Sequence, residues 1–69
     1  MSQRVLTARE LQVVELLGKG RRNREIAEEL QISEDTARAH VKSIFLKLNV
    51  HDRTAAFSEA LTRGLIQIG

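Results

Sequence analysis

The sequence predicts an all-α domain of four helices, at about residues 7–18, 23–31, 34–48 and 52–63. Apolar residues recur at helical spacing along the chain, no segment alternates polar and apolar residues as a strand would, and there is no proline. The 69 residues suffice for one small domain, which we place at 6–69 after a short N-terminal tail at 1–5. Because such a domain has little room for a deep cavity, its size favours a binding surface over an active site.

The first helix has a clear beginning and end. Thr7-Ala8-Arg9-Glu10 matches a capping box, in which Thr7 accepts from the Glu10 amide while the Glu10 carboxylate reaches back. Leu6 and Leu11 flank the cap and can form a hydrophobic staple. A broad apolar face then runs to Gly18, where the helix is expected to end.

The second and third helices are predicted to lie very close together in the chain. Asn23 is a suitable N-cap for the second helix, and Ser33 for the third, which has Glu34 and Asp35 in its first turn. The second helix therefore ends about three residues before the third begins, a spacing typical of a helix-turn-helix.

The third helix has two different sides. A narrow apolar stripe predicts the side that faces the core, and it consists of Ala37, Val41, Ile44 and Leu48. The opposite side is predicted to face solvent, and it carries Arg38, Ala39, Lys42, Ser43 and Leu46.

The fourth helix is predicted to run from about Asp52 to Arg63, with Gly64 just beyond its end. It carries two apolar stripes, one of Phe57 and Leu61 and one of Ala56 and Ala60. Two stripes are more apolar surface than one core contact requires, so the extra stripe either completes the core or forms an interface with another copy. We favour a homodimer interface at Phe57 and Leu61, because association stabilises a small domain.

The net charge of +2 is the remainder of strongly segregated segments. Residues 19–24 carry four cations, residues 25–35 carry five anions, and residues 36–53 have a net charge of +3. Arg38 and Lys42 lie one turn apart on the third helix with the small Ala39 between them, an arrangement that suits the major groove of DNA. Arg24, Lys47 and Arg53 are candidates to neutralise phosphates beside the groove. The alternative is that these cations only solvate the surface.

Several classes of protein are disfavoured by what the sequence lacks. Without cysteine it has neither disulfides nor thiolate chemistry, and its two histidines, His40 and His51, do not suggest a metal site. No nucleophile–base set is apparent, so we expect neither an enzyme nor a cofactor. No apolar run is long enough to span a membrane, and the N-terminus lacks a signal peptide. We therefore expect a cytoplasmic protein.

Taken together, the spaced motifs resemble the LuxR/FixJ-type (GerE-like) helix-turn-helix domain of bacterial transcription regulators. The matching motifs are Leu6-Thr7-x-Arg9-Glu10, Asn23-Arg24-Glu25-Ile26-Ala27, Leu30-x-Ile32-Ser33-x-x-Thr36, Arg38-x-His40-x-x-x-Ile44, Lys47-Leu48-x-Val50, Arg53-x-x-Ala56 and Gly64-Leu65-Ile66. One departure is Gly18 in place of a frequent alanine, which is expected to make the end of the first helix less rigid.

The resemblance implies that the third helix enters the major groove and that the domain often dimerises through its fourth helix. Arg38, Ala39 and Lys42 match the positions that face the bases in this family. The positions that approach the DNA backbone are Asn23, Ser33, Thr36, His40 and Lys47.

The leading hypothesis is therefore sequence-specific binding of double-stranded DNA by the effector domain of a bacterial transcription regulator. One alternative is a module similar to region four of sigma factors, which binds promoter DNA together with RNA polymerase. The other is a protein-interaction domain, in which the acidic segment 25–35 binds a basic partner.

Overall fold

A computed structural model describes residues 6–67 of the chain, and these residues form four α-helices. The helices are α1 (Ala8–Gly18), α2 (Asn23–Leu30), α3 (Glu34–Leu48) and α4 (Arg53–Thr62). Within the described residues there is no strand, which confirms the all-α fold. The expected tail at 1–5 and residues 68–69 lie outside the described residues.

Side-chain caps begin three of the four helices, and two of these caps, Thr7 and Ser33, were predicted from the sequence. Thr7 and Glu10 form the capping box of α1, with the Glu10 amide 3.1 Å from Thr7 Oγ1 and the Thr7 amide 2.9 Å from Glu10 Oε1. Ser33 Oγ accepts from the Thr36 amide at 3.0 Å at the start of α3. Asp52 caps α4 by accepting from the Ala55 amide at 2.7 Å.

The predicted N-cap of α2 is wrong. Asn23 is the first residue of the helix, and Arg22 occupies the cap position. The Arg22 amide donates to Glu25 Oε1 at 2.8 Å, so Glu25 satisfies the helix start from inside the first turn. The arginine side chain has no acceptor with which to complete a reciprocal cap.

The turn between α2 and α3 is as short as the spacing predicted. Gln31 ends α2 in the left-handed conformation, with φ of 58° and ψ of 47°. The Ile32 amide then donates back to the Ala27 carbonyl at 2.9 Å, which completes the helix end. Ser33 already caps α3, so the direction of α3 relative to α2 is set within three residues.

The core lies where the four helices meet, with α3 packed against each of the other three and α1 packed against α4. The stripe predicted for α3 is buried, namely Ala37, Val41, Ile44 and Leu48. On α4, Ala56 and Ala60 are fully buried, while Phe57 and Leu61 are only partly buried against the core. The two stripes of α4 therefore have different environments.

Gly18 has a packing role that the sequence did not reveal. A methyl group placed on its Cα would overlap the aromatic ring of Phe57. The Phe57 ring of α4 therefore occupies the space that a side chain at residue 18 of α1 would need. This differs from the expectation of a merely less rigid helix end.

Candidate nucleic-acid interface

The outer side of α3 exposes the three residues that were predicted to read bases. Arg38, Ala39 and Lys42 are all exposed, on the side of the helix opposite the buried stripe. Leu46 lies further along α3 and is 70% exposed, which makes it the large hydrophobic residue most open to solvent among residues 6–67. The helix therefore presents a surface of two cations, a methyl group and an apolar side chain.

Two carboxylates of the first turn of α3 hold the guanidinium group of Arg38. Its Nη1 lies 2.9 Å from Asp35 Oδ1, and its Nη2 lies 3.5 Å from Glu34 Oε2. The Arg38 side chain is nevertheless 58% exposed. An arginine carries five N–H donors, so most of them stay available to an incoming acceptor.

Lys42 differs from Arg38 in having no such partner. No ion pair joins its ammonium group to a carboxylate in the described part of the chain. The same holds there for Lys19 and Arg22, which lie exposed between α1 and α2. These three cations, like the exposed Arg9 of α1, form no ion pair with a carboxylate in that part of the chain.

Ser43 was predicted to face solvent, and that prediction is wrong. Its hydroxyl donates to Glu10 Oε2 at 2.8 Å. One turn later, Lys47 Nζ lies 2.8 Å from Glu10 Oε1, and the Lys47 side chain is only 28% exposed. Both residues thus bind the carboxylate that also closes the capping box of α1.

Glu10 is the one buried charged residue among residues 6–67, at 4% exposure. Burial by itself raises the pKa of its carboxyl group. Hydrogen bonds from Lys47, the Thr7 amide and Ser43, together with the charge of Lys47, outweigh burial and lower the pKa from 4.5 to about 2. The carboxylate therefore stays charged at neutral pH and joins the start of α1 to the second half of α3.

Sequence reasoning assigned Glu10 only to the cap. A signal was present in the spacing, because Ser43 and Lys47 are four residues apart and each precedes a residue of the buried stripe, Ile44 or Leu48. Such a pair lies at the edge of the core and can bind a common buried acid.

The residues predicted to approach the DNA backbone have varied environments. Ser33 and Thr36 are exposed and are joined by a hydrogen bond of 2.9 Å between their hydroxyl groups. His40 is half-buried. Arg24 is exposed, and its Nε lies 3.7 Å from Glu28 Oε2.

Arg53 connects α4 to the beginning of α2. Its Nη1 donates to the Arg21 carbonyl at 2.8 Å, and its Nη2 donates to Asn23 Oδ1 at 3.5 Å. Arg53 and Asn23 are both half-buried. Two residues that were predicted to contact the DNA backbone are thus hydrogen-bonded to each other in the free domain.

The acidic segment 25–35 is largely neutralised by neighbouring arginines. Arg21 Nε lies 3.0 Å from Glu29 Oε1, Arg24 pairs with Glu28, and Arg38 pairs with both acids of α3. The fifth acid, Glu25, accepts from the Arg22 amide. These pairings offset part of the negative charge on which the protein-interaction hypothesis depends.

Other kinds of site find no support in residues 6–67. No group of three or more His, Asp or Glu side chains there is placed to hold a metal ion. Nor does that part of the chain contain a helix long and apolar enough to cross a membrane.

Residues 4–60 match the family model described as bacterial regulatory proteins of the luxR family, "GerE". The chain belongs to this family. It is a DNA-binding domain of the kind found in transcription regulators, and its helix-turn-helix consists of α2 and α3.

Curated relatives of this luxR-family domain are considerably longer than the chain. It is 44% identical over 64 residues to the transcriptional regulatory protein DegU of Brevibacillus brevis, covering 93% of this chain and 27% of that protein. It is 48% identical over 52 residues to the nitrate/nitrite response regulator protein NarP of Escherichia coli, covering 75% and 24%. The chain thus spans less than a third of the length of these relatives.

Solved structures share the fold of this luxR-family domain. The structure of the transcription factor GerE superposes with a TM-score of 0.84 at 35% identity, covering 91% of this chain and 94% of that one. The response regulator ChrA of a heme-sensing two-component system gives a TM-score of 0.88 at 39% identity, covering 96% of this chain and 33% of that one.

Proposed function

We propose that this domain binds double-stranded DNA sequence-specifically, with α3 in the major groove, as the effector domain of a bacterial transcription regulator that acts in the cytoplasm. The observation that carries the proposal is the exposed surface of Arg38, Ala39 and Lys42, opposite a helix side that is fully packed into the core. Its support from similarity is the luxR-family match over residues 4–60.

Base reading is assigned to three side chains of α3. Arg38 and Lys42 are donors suited to the O6 and N7 acceptors of guanine in the major groove. Ala39 lies between them and is small enough to rest against a thymine methyl group. Since their spacing is one helical turn, all three face the same stretch of the groove.

Contacts to the phosphates are assigned to the residues around this surface. The set comprises Asn23, Arg24, Ser33, Thr36, His40, Lys47 and Arg53, together with the unpaired Lys19 and Arg22. Lys47 and Arg53 already bind protein oxygens, but each has spare N–H donors with which to approach a phosphate. These contacts would supply affinity and orientation rather than base discrimination.

We also propose that two copies associate on DNA through α4, at Phe57 and Leu61. The supporting observation is that these side chains are only partly covered by the rest of the domain, whereas Ala56 and Ala60 are completely buried. A two-fold interface of this kind would match a palindromic operator with half-sites about one or more helical turns apart.

The proposal is tested by selecting binding sites from random duplexes with the purified domain. We expect a palindromic site in which each half-site contains guanine. The Arg38→Ala variant should lose about 1–3 kcal/mol on the selected site and relax discrimination at one or two positions.

The matched control is Arg9→Ala, which removes one exposed guanidinium group from α1 instead of α3. It should retain the selectivity of the unmodified domain. Absence of binding at low salt, or unchanged selectivity in Arg38→Ala, would contradict the proposal.

A further inference from the structure

We infer that Asp35 is a specificity-determining residue, which holds the Arg38 guanidinium in place for base reading and opposes its transfer to the phosphates of unrelated DNA. The inference rests on the proposed function, because it assigns Arg38 to the bases. Asp35 lies in the acidic segment 25–35, whose charge by itself is unsuited to a DNA-binding surface.

The geometry gives Asp35 a direct hold on Arg38. Asp35 Oδ1 lies 2.9 Å from Arg38 Nη1, a distance typical of a charge-assisted hydrogen bond, whereas the contact from Glu34 to Nη2 is longer, at 3.5 Å. Both acids precede Arg38 by one helical turn, so they hold the guanidinium group from its N-terminal side. The remaining N–H donors stay free to form a paired contact with a guanine.

The ion pair between Asp35 and Arg38 adds little to the stability of the free domain. The Asp35 side chain is 93% exposed, and ion pairs between such exposed groups contribute little to folding because water screens them. The same pair has a greater effect in a protein–DNA interface, where water is partly excluded and electrostatic interactions are stronger.

Charge balance makes the effect depend on the DNA sequence. Glu34, Asp35 and Arg38 together carry a net charge of −1, so the carboxylate charge that Arg38 does not balance is repelled by phosphates. On a matching site, Arg38 donates to a guanine while it keeps its bond to Asp35. On other sites, Arg38 gains only by turning to a phosphate, and this leaves Asp35 unpaired beside the negatively charged backbone.

Specificity is the difference between the affinity for the selected site and the affinity for unrelated DNA, and Asp35 acts mainly on the affinity for unrelated DNA. Removing its charge should therefore strengthen binding to unrelated DNA more than binding to the selected site. A bulk electrostatic effect would instead strengthen both equally.

The experiment compares the unmodified domain with Asp35→Asn, in binding titrations against the selected site and against a duplex with the Arg38-contacted bases changed. Asp35→Asn should lower the ratio of the two affinities by about tenfold, mostly through tighter binding to the altered duplex. Thermal unfolding of each variant verifies that the fold is intact.

Glu34→Gln is the matched control, since it removes the same charge from the same helical turn but from the longer contact. It should change the affinity ratio much less than Asp35→Asn does. In an Arg38→Ala background, Asp35→Asn should leave the ratio unchanged, because the group that Asp35 holds is absent.

Equal gains in affinity on both duplexes would overturn the inference, as would the same loss of discrimination in the Arg38→Ala background. In both cases the unmodified domain would still discriminate, and the proposed function would stand. An unmodified domain that cannot distinguish the duplexes would overturn the proposed function and this inference with it.

Discussion

Glu10 shows how one side chain can serve two levels of structure. Its carboxylate caps α1 through the Thr7 amide and also binds Ser43 and Lys47 of α3. The buried charge is thus paired with a cation and accepts three hydrogen bonds, which offset the cost of its burial. The residue therefore joins the start of α1 to the second half of α3.

At the residue scale, Glu10→Gln should lower the free energy of unfolding at pH 7 by on the order of 3 kcal/mol, because the pKa is lowered from 4.5 to about 2. The amide keeps the shape of the side chain but leaves Lys47 without its counter-charge. Urea denaturation of both proteins measures the difference.

The same substitution predicts a change in acid sensitivity. A lowered pKa in the folded state means that the stabilisation is complete above pH 4.5 and is lost as the pH falls toward about 2. The stability gap between the unmodified protein and Glu10→Gln should therefore close over that interval. Lys42→Ala is the control, since this exposed lysine holds no carboxylate. A gap that is constant with pH would contradict the assignment.

At the scale of elements, the helix ends were largely readable from local sequence. The caps Thr7, Ser33 and Asp52 each act on an amide three residues further on, so both partners lie within one turn. The failure at Asn23 has a local explanation as well. Glu25 accepts a hydrogen bond from the Arg22 amide, and the Asn23 side chain instead accepts from Arg53 of α4.

The turn between α2 and α3 leads to a prediction about stability. Gln31 has φ of 58°, a conformation that costs a residue with a Cβ atom about 1 kcal/mol relative to glycine. Its side chain is exposed, so Gln31→Gly should raise the free energy of unfolding by about 1 kcal/mol and the Tm by several degrees.

Asn49 supplies the comparison for that prediction, because it has the same φ of 58° at the end of α3. Asparagine tolerates the left-handed conformation better than glutamine, so Asn49→Gly should stabilise less. A lower Tm for Gln31→Gly would show that its side chain makes a contribution larger than the backbone strain.

At the scale of the whole molecule, the packing of α1 on α4 depends on the pairing of Gly18 with Phe57. Gly18→Ala adds a residue that favours helices, yet its methyl group would overlap the Phe57 ring. Displacing the ring should destabilise the domain by about 1–3 kcal/mol, as overpacking usually does.

The double variant separates packing from helix propensity. In a Phe57→Leu background, which removes the ring, Gly18→Ala should cost much less, and chemical denaturation of the four proteins measures this coupling. An equal cost in both backgrounds would mean that the ring does not limit residue 18. Since Phe57 is also assigned to the dimer, the measurements belong at concentrations where the domain is monomeric.

The sequence by itself determined the helices, the caps of α1 and α3, the short turn before α3 and the division of α3 into a buried stripe and an exposed cationic surface. All of these depend on residues one or two turns apart, which a local pattern records. Only the tertiary structure decided which polar groups are hydrogen-bonded within the domain and which helices pack closely at a glycine. Glu10 with Lys47, Arg53 with the Arg21 carbonyl, and Gly18 with Phe57 join residues more than thirty positions apart, and local periodicity does not identify the distant partner in any of these contacts.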